Sequence, residues 1–252
     1  MTETSPAPRL SVVIPVYNER GTIGEVLRRV QAVAIEKEIV VVDDGSTDGT
    51  REFLHRVCGD PGQDQGAELL PVDPSLSTES IRVFFQEKNS GKGAALRRGF
   101  KEARGQIVII QDADLEVDPQ DYHKLLEPIE RGAADVVYGS RFLGGPRPGV
   151  DYWHVLVNKW LTMLSNMFTK LNLTDVWTCY KVFPRELLHK IDIKEDRFGF
   201  EPEVTAKVAK QHWRVSEVPI YYQSRGYAEG KKIGWKDGIK GVWCTLRYGL
   251  FD

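Results

Sequence analysis

Two acidic clusters are the residues in this chain best suited to do chemistry. One is Asp112-Ala113-Asp114-Leu115-Glu116-Val117-Asp118, four acids within seven residues, directly after the apolar run Ile107–Ile110. The other is Asp43-Asp44 in VVVDDGSTDGT, again directly after an apolar run. Carboxylates at i and i+2 of extended backbone point the same way, so Asp112 and Asp114 repel each other unless a positive charge lies between them. A hard divalent cation with oxygen ligands, completed by phosphate oxygens of a substrate, meets that need. Asp118 reads differently. Followed by Pro119, it has the form of a helix N-cap with proline at the first helical position.

The surrounding segments must bring these acids together. Short apolar runs predict strands at Leu10–Val16, Glu38–Val42, Arg82–Gln86, Gln106–Ile110 and Asp135–Tyr138. Helical spacing predicts helices near Thr22–Val33, Gly49–Val57, Lys92–Ala103 and Pro119–Arg131. This alternation specifies βαβ units: an α/β, Rossmann-like, mostly parallel sheet flanked by helices. Both acidic clusters then fall at the carboxyl ends of strands, where such sheets bind ligands. Residues 59–80, rich in Gly, Pro, Asp and Ser, read as a mobile loop insertion, and Gly144–Val150 as a second flexible stretch.

Composition narrows the class further. The chain has 252 residues, 41% hydrophobic and 28% charged, with a net charge of −2. That suits one soluble domain and argues against a nucleic-acid binder. Cys58, Cys179 and Cys244 are widely spaced and odd in number, which fits a reducing compartment rather than a disulfide or zinc framework. The N-terminal residues lack a secretory apolar region, and no run of about 18 apolar residues occurs. The expected location is cytoplasmic, with at most peripheral membrane attachment.

The glycines of SGKGAA satisfy neither the phosphate-loop pattern, since Lys92 is followed by Gly93, nor the dinucleotide fingerprint. Gly91 and Gly93 make either a tight turn into a helix or a loop that approaches a nucleotide. A kinase or dehydrogenase is thereby disfavoured. A nucleotidyltransferase would carry a glycine-rich basic loop after the first strand, where this chain has PVYNERGT.

VVIPVYNE, VVVDDGSTDGT, NSGKGAALRRG, QDADLEVDP and GSRF occur in that order between Leu10 and Tyr248. Together they resemble the inverting family 2 glycosyltransferases of GT-A fold, and most of all the dolichol-phosphate and polyprenyl-phosphate mannosyl- or glucosyltransferases. The resemblance implies a single domain over residues 1–252, with a nucleotide-sugar half at 8–140 and an acceptor half at 141–252. It implies a nucleoside pocket lined by Pro15, Tyr17, Glu19 and Asp44, with Gly91 and Lys92 near the donor. It makes Asp112 and Asp114 the D-x-D pair for Mg²⁺ or Mn²⁺ and the donor diphosphate. Glu116 stands where the synthases often have Gln, as a third candidate metal ligand. Arg141 of GSRF, and Arg225 and Lys232 of RGYAEGKKI, are the implied phosphate-positioning cations beside the catalytic Asp114.

The implied reaction moves a hexose from GDP-mannose or UDP-glucose to a polyprenyl phosphate at a membrane surface. A homo-oligomer or a membrane partner protein is left open. The alternative acceptor is a sugar hydroxyl of a polysaccharide or glycolipid. A hydroxyl needs a carboxylate base, for which Glu201 and Glu203 are the candidates, whereas a phosphate monoester is already ionised. A nucleotide-sugar-binding protein without catalysis is disfavoured by the intact acids and basic positions.

Trp153–Leu171 has helical periodicity, with Trp153, Leu156, Val157, Trp160, Leu161, Leu164, Met167, Phe168 and Leu171 on one stripe. The expectation is a core helix packed on the sheet, with a membrane-surface helix as the alternative. Arg225, Lys231, Lys232, Lys236 and Lys240 form a local basic patch suited to phosphate or an anionic membrane.

Overall fold

A computed structural model describes residues 7–59, 76–144, 152–224 and 235–251. Arg225, Lys231 and Lys232, the core of the expected insertion and most of Gly144–Val150 lie outside the described residues. The sheet has seven strands: β1 (Leu10–Val16), β2 (Lys37–Asp43), β3 (Ile81–Phe85), β4 (Ile107–Ile110), β5 (Val136–Ser140), β6 (Lys181–Pro184) and β7 (Val215–Pro219). Their order is β3-β2-β1-β4-β6-β5-β7. The pairs β3–β2, β2–β1, β1–β4 and β5–β7 are parallel, while β6 runs antiparallel to both β4 and β5. The expected mostly parallel sheet is present, with one reversed strand.

Side-chain alternation divides the core into two layers. Leu10, Val12, Ile14, Ile39, Val41, Ile107 and Ile109 face one side. There they meet α1 (Ile23–Ala32), α2 (Thr50–Val57) and α4 (Tyr122–Glu130) through Leu27, Leu54 and Leu125. Val13, Val40, Val42, Val108 and Ile110 face the other. They pack on α3 (Lys92–Glu102), α6 (Arg185–Leu188) and α7 (Phe200–Lys210) through Leu96, Leu188, Phe200 and Val204. Strands buried on both faces read as continuous apolar runs, which is why β1, β2 and β4 are plain in the sequence. Their carboxyl ends share one edge of the sheet. The order in which strands are added reverses between β1 and β4, which are parallel neighbours, so the crevice there is the expected ligand position.

Two helices complete the fold, α5 (Tyr152–Thr169) and α8 (Trp235–Leu250). The expected core role of α5 does not hold. Much of its apolar stripe faces outward: Trp153 is 68% exposed and Met167 66%, with Leu156, Val157 and Trp160 also exposed, as is Met163 beside the stripe, while Leu161 of the stripe is buried. Its buried face is smaller and more polar, made of Leu161, Thr162 and Ser165. The reason is local. Asn166 clamps the following loop, its Nδ2 donating to Leu173 O at 2.7 Å and its Oδ1 accepting from Leu173 N at 2.9 Å. Val176 N donates to Thr162 Oγ1 at 3.3 Å. The polar side of α5 is thus committed to the protein, which turns its apolar side to the surface.

Candidate active site

Four chain segments converge on the crevice. Pro15 lies near the end of β1 and Tyr17 and Glu19 follow it, and Glu19 is fixed from two directions. Its backbone N–H donates to Thr50 Oγ1 at 3.0 Å, and Thr22 Oγ1 donates to its carboxylate at 2.8 Å. The same hydroxyl lies 2.7 Å from the carbonyl of Ala113, which ties the end of β1 to the D-x-D turn.

Asp44, at the end of β2, is buried. Its carboxylate accepts from Ser90 N at 2.8 Å, Gly91 N at 2.7 Å and Gln86 Nε2 at 2.9 Å. Burial pushes its pKa up, and the Ser90 and Gly91 hydrogen bonds pull it back. Asp44 therefore organises the glycine loop. Gly91 has φ of +104°, and a Cβ there would sit 2.4 Å from Asp196 O. A Cβ on Gly93 would meet Glu195 O at 2.1 Å. Both glycines let α3 start against the loop before α7, as a tight turn into the helix requires. Neighbouring Asp43 pairs with Arg51 at 2.8 Å.

Asp112 and Asp114 follow β4. Leu115 adopts φ of +62°, and Glu116 N donates to Asp114 Oδ1 at 3.1 Å, so the chain turns sharply at the second acid. Gln111 anchors the turn from below. Its Oε1 accepts from the Tyr122 hydroxyl at 2.7 Å and the Tyr180 hydroxyl at 2.8 Å, and its Nε2 donates to Asp112 O at 2.9 Å. Asp118 is the N-cap expected, its carboxylate accepting from Gln120 N at 2.9 Å.

A cation already faces the acids. Lys92 Nζ lies 2.9 Å from Asp112 Oδ1 and 3.1 Å from Glu201 Oε1. Burial works against its charge, but Asp112 and Glu201 outweigh that and hold its pKa above the ordinary lysine value. Among the described residues, no three His, Cys, Asp or Glu side chains converge closely enough to enclose a metal. The expected three-acid set of Asp112, Asp114 and Glu116 is thus not gathered. Glu116 adjoins Tyr222 instead, where burial first and its carboxylate second push the phenol up to about 12. Two carboxylates, one already attracting a cation, fit a Mg²⁺ or Mn²⁺ ion whose other ligands come from water and substrate phosphates.

Arg141 follows β5. Asp175, fully buried, accepts from its Nε at 2.7 Å, Nη2 at 2.9 Å and backbone N at 3.0 Å. Burial opposes the guanidinium charge, and Asp175 more than offsets it, raising the pKa above the usual arginine value. Asp175 is itself held by Glu217, which accepts from Thr174 N at 2.7 Å and Asp175 N at 3.0 Å. Cys179 lies among Asp112, Lys92, Asp114 and Arg141, and burial followed by the Asp112 charge keeps it a thiol well above its ordinary pKa.

The two candidate bases are occupied. Glu203 is fully buried and accepts from Lys194 N, Glu195 N and Lys207 Nζ, each at 2.7 Å. It fixes the loop on which α3 begins. Glu201 is buried and paired with Lys92. Gln111, Asp175 as the partner of Arg141, Cys179 and the Lys92–Glu201 pair were not assigned these roles from sequence. The one available signal was Gln111, a polar residue joined directly to four buried apolar ones.

A family model described as Glycosyl transferase family 2 matches residues 11–192. The chain belongs to that family. This glycosyltransferase is 31% identical over 251 residues to an undecaprenyl-phosphate mannosyltransferase of Micrococcus luteus, covering 96% of this chain and 94% of that protein. It is 29% identical over 236 residues to a polyprenol monophosphomannose synthase of Mycolicibacterium smegmatis, covering 91% and 83%. A dolichol-phosphate mannosyltransferase of Pyrococcus furiosus is 29% identical over 231 residues, and this chain spans 60% of its length. A glucosyl-3-phosphoglycerate synthase of Mycobacterium tuberculosis, solved with Mn²⁺, UDP and phosphoglyceric acid, matches with a TM-score of 0.70 at 19% identity, over 97% of this chain and 80% of that one. The glycosyltransferase has the GT-A fold of these neighbours, which are solved with Mn²⁺ or Mg²⁺.

Proposed function

We propose that this glycosyltransferase moves a hexose, mannose first, from a nucleotide sugar to a polyprenyl phosphate with inversion at the anomeric carbon. The observation that carries this reading is the commitment of Glu201 and Glu203 to other partners. A hydroxyl acceptor needs a base; Glu203 is spent on three donors, and Glu201 is held in an ion pair with Lys92 with its second oxygen buried. A phosphate monoester, with a second pKa of about 6, needs none at neutral pH. The names of the three curated relatives agree with that acceptor class and with mannose.

Residues 8–140 form the donor half. Pro15, Tyr17, Glu19 and the Asp44–Gly91 clamp line the nucleoside pocket. Asp112 and Asp114 hold a divalent cation, which neutralises the charge developing on the leaving diphosphate. Lys92 lies along that diphosphate. Residues 141–252 form the acceptor half, where Arg141, oriented by Asp175, sets the acceptor phosphate in line with the anomeric carbon. Arg225 and Lys232, outside the described residues, supply further positive charge.

The acceptor is a membrane lipid, and among the described residues no helix is long and apolar enough to cross a bilayer. The enzyme meets its substrate from the surface. The outward stripe of α5, with Trp243, Leu250 and Phe251 exposed at α8 and its end, supplies an apolar face of the kind that inserts at the headgroup boundary.

The test is nucleoside diphosphate release by purified protein with Mn²⁺ or Mg²⁺, using GDP-mannose and UDP-glucose, with and without polyprenyl phosphate in vesicles. Release that depends on the lipid phosphate is expected, with GDP-mannose the better donor. Release stimulated only by a saccharide hydroxyl would replace this reading with the polysaccharide or glycolipid one.

A further inference from the structure

The acids of the D-x-D turn are not idle in the free protein. Asp112 shares the ammonium of Lys92 with Glu201, at 2.9 Å and 3.1 Å. The three groups come from separate elements: the end of β4, the first residue of α3 and the first turn of α7. Glu201 has a second feature. Its Oε2 atom is buried and has no hydrogen-bond partner among the described residues. A buried carboxylate oxygen left unpaired is costly and calls for a partner in some state of the protein. The other ammonium near it, Lys181, is already bonded to Val176 O at 3.0 Å and Thr178 O at 2.5 Å. Lys92 is the cation that Glu201 can draw closer.

We propose that Lys92 is the resident counter-cation of Asp112, and that Glu201 is the positioning residue that takes it over when a divalent metal arrives. A metal ion on the Asp112 carboxylate and an ammonium in contact with the same group repel each other. Lys92 must then leave Asp112, and the vacant Oε2 of Glu201 converts a single contact into a two-oxygen cradle. Retained there, Lys92 stays within the site and faces the donor diphosphate instead of leaving for solvent. The inference rests on the metal-dependent donor site proposed above. It adds that Lys92 and Glu201 act on metal affinity with opposite signs, Lys92 as competitor and Glu201 as the group that removes the competitor.

The test is Mn²⁺ binding to the full-length protein without donor, with free Mn²⁺ followed by electron paramagnetic resonance. Lys92→Met removes the competing charge and is expected to tighten Mn²⁺ binding about three- to tenfold, while Glu201→Gln leaves Lys92 on Asp112 and weakens it by about the same factor. The double variant should resemble Lys92→Met, because no ammonium is left to relocate. Lys92→Gln gives the same reading if the Met variant does not fold, and circular dichroism melts confirm folding in each case. Shifts of the same sign in both single variants, or no shift in either folded variant, would overturn the proposal. Asp114→Ala separates the two levels of the argument. Wild-type Mn²⁺ binding that survives this change removes the D-x-D metal site and the exchange with it. Asp114-dependent binding with unmoved Lys92 and Glu201 variants removes only the exchange.

Discussion

The donor rim and the α5 face treat polarity in opposite ways. At the rim, polar groups are drawn into the protein and most are hydrogen-bonded there. Asp44 takes three donors, Gln111 two hydroxyls, and Asp175 three N–H groups of Arg141. On α5, apolar groups stand outside while Thr162, Ser165 and Asn166 turn to the protein. A site that must hold charges at fixed distances gains from low dielectric and full hydrogen bonding. Under the proposed function, the exposed apolar area of α5 is what would meet the lipid surface. The proposed function gives precision to the rim and adhesion to the helix, and each half of that contrast can be broken separately.

The largest effect is expected at the rim. Asp114→Ala should lower nucleoside diphosphate release about a hundredfold or more at saturating substrate, with little change in the unfolding midpoint, since Asp114 is only partly buried. Asp175→Asn comes next. It leaves the Arg141 guanidinium without its buried counter-charge, and should cost about 3 kcal/mol in urea unfolding and at least about tenfold in turnover.

The triple change Trp153→Ser, Trp160→Ser and Met167→Ser tests the other half. Vesicle co-sedimentation should weaken about tenfold or more, while the melting temperature holds or rises slightly, because these side chains already face water. A large loss of stability would mean that the stripe is packed in the folded protein after all.

The smallest effect belongs to neither region and calibrates both. Arg28 and Arg29 hold the Glu25 carboxyl down at about 2 by hydrogen bonds on the surface of α1. A depressed acid contributes stability that is present above its unfolded value of 4.5 and is lost as pH falls toward 2. Glu25→Gln should therefore cost less than about 1 kcal/mol at neutral pH and nothing below pH 2, with salt shrinking the difference.

Much of the donor half was legible because its strands are buried on both faces and its polar residues come at their ends. β1, β2 and β4 are unbroken apolar runs, and the acids that follow them have few roles to fill. β6 was hidden because it has only four residues, begins with the fully buried Lys181 and ends in Pro184. β7, VSEVP at the sheet edge, alternates too mildly to stand out. Periodicity grouped most of the exposed α5 side chains, though it included the buried Leu161 and omitted the exposed Met163, and it does not say which way a face points. Only the Asn166 and Thr162 contacts, made to residues further along the chain, decide that. The Arg141–Asp175 pair spans 34 residues, and the Lys92–Glu201 pair joins two helices of different halves, so neither leaves a local pattern to read.

The central claim is that the acceptor nucleophile is a lipid phosphate that needs no protein base. It is tested most directly by offering polyprenyl phosphate and the corresponding polyprenol in identical vesicles, with the same labelled nucleotide sugar, and extracting the glycolipid formed. The account predicts labelled lipid from the phosphate alone. Comparable labelling of the alcohol would contradict it, because that reaction requires a general base, whereas Glu203 is spent on three donors and Glu201 is buried against Lys92.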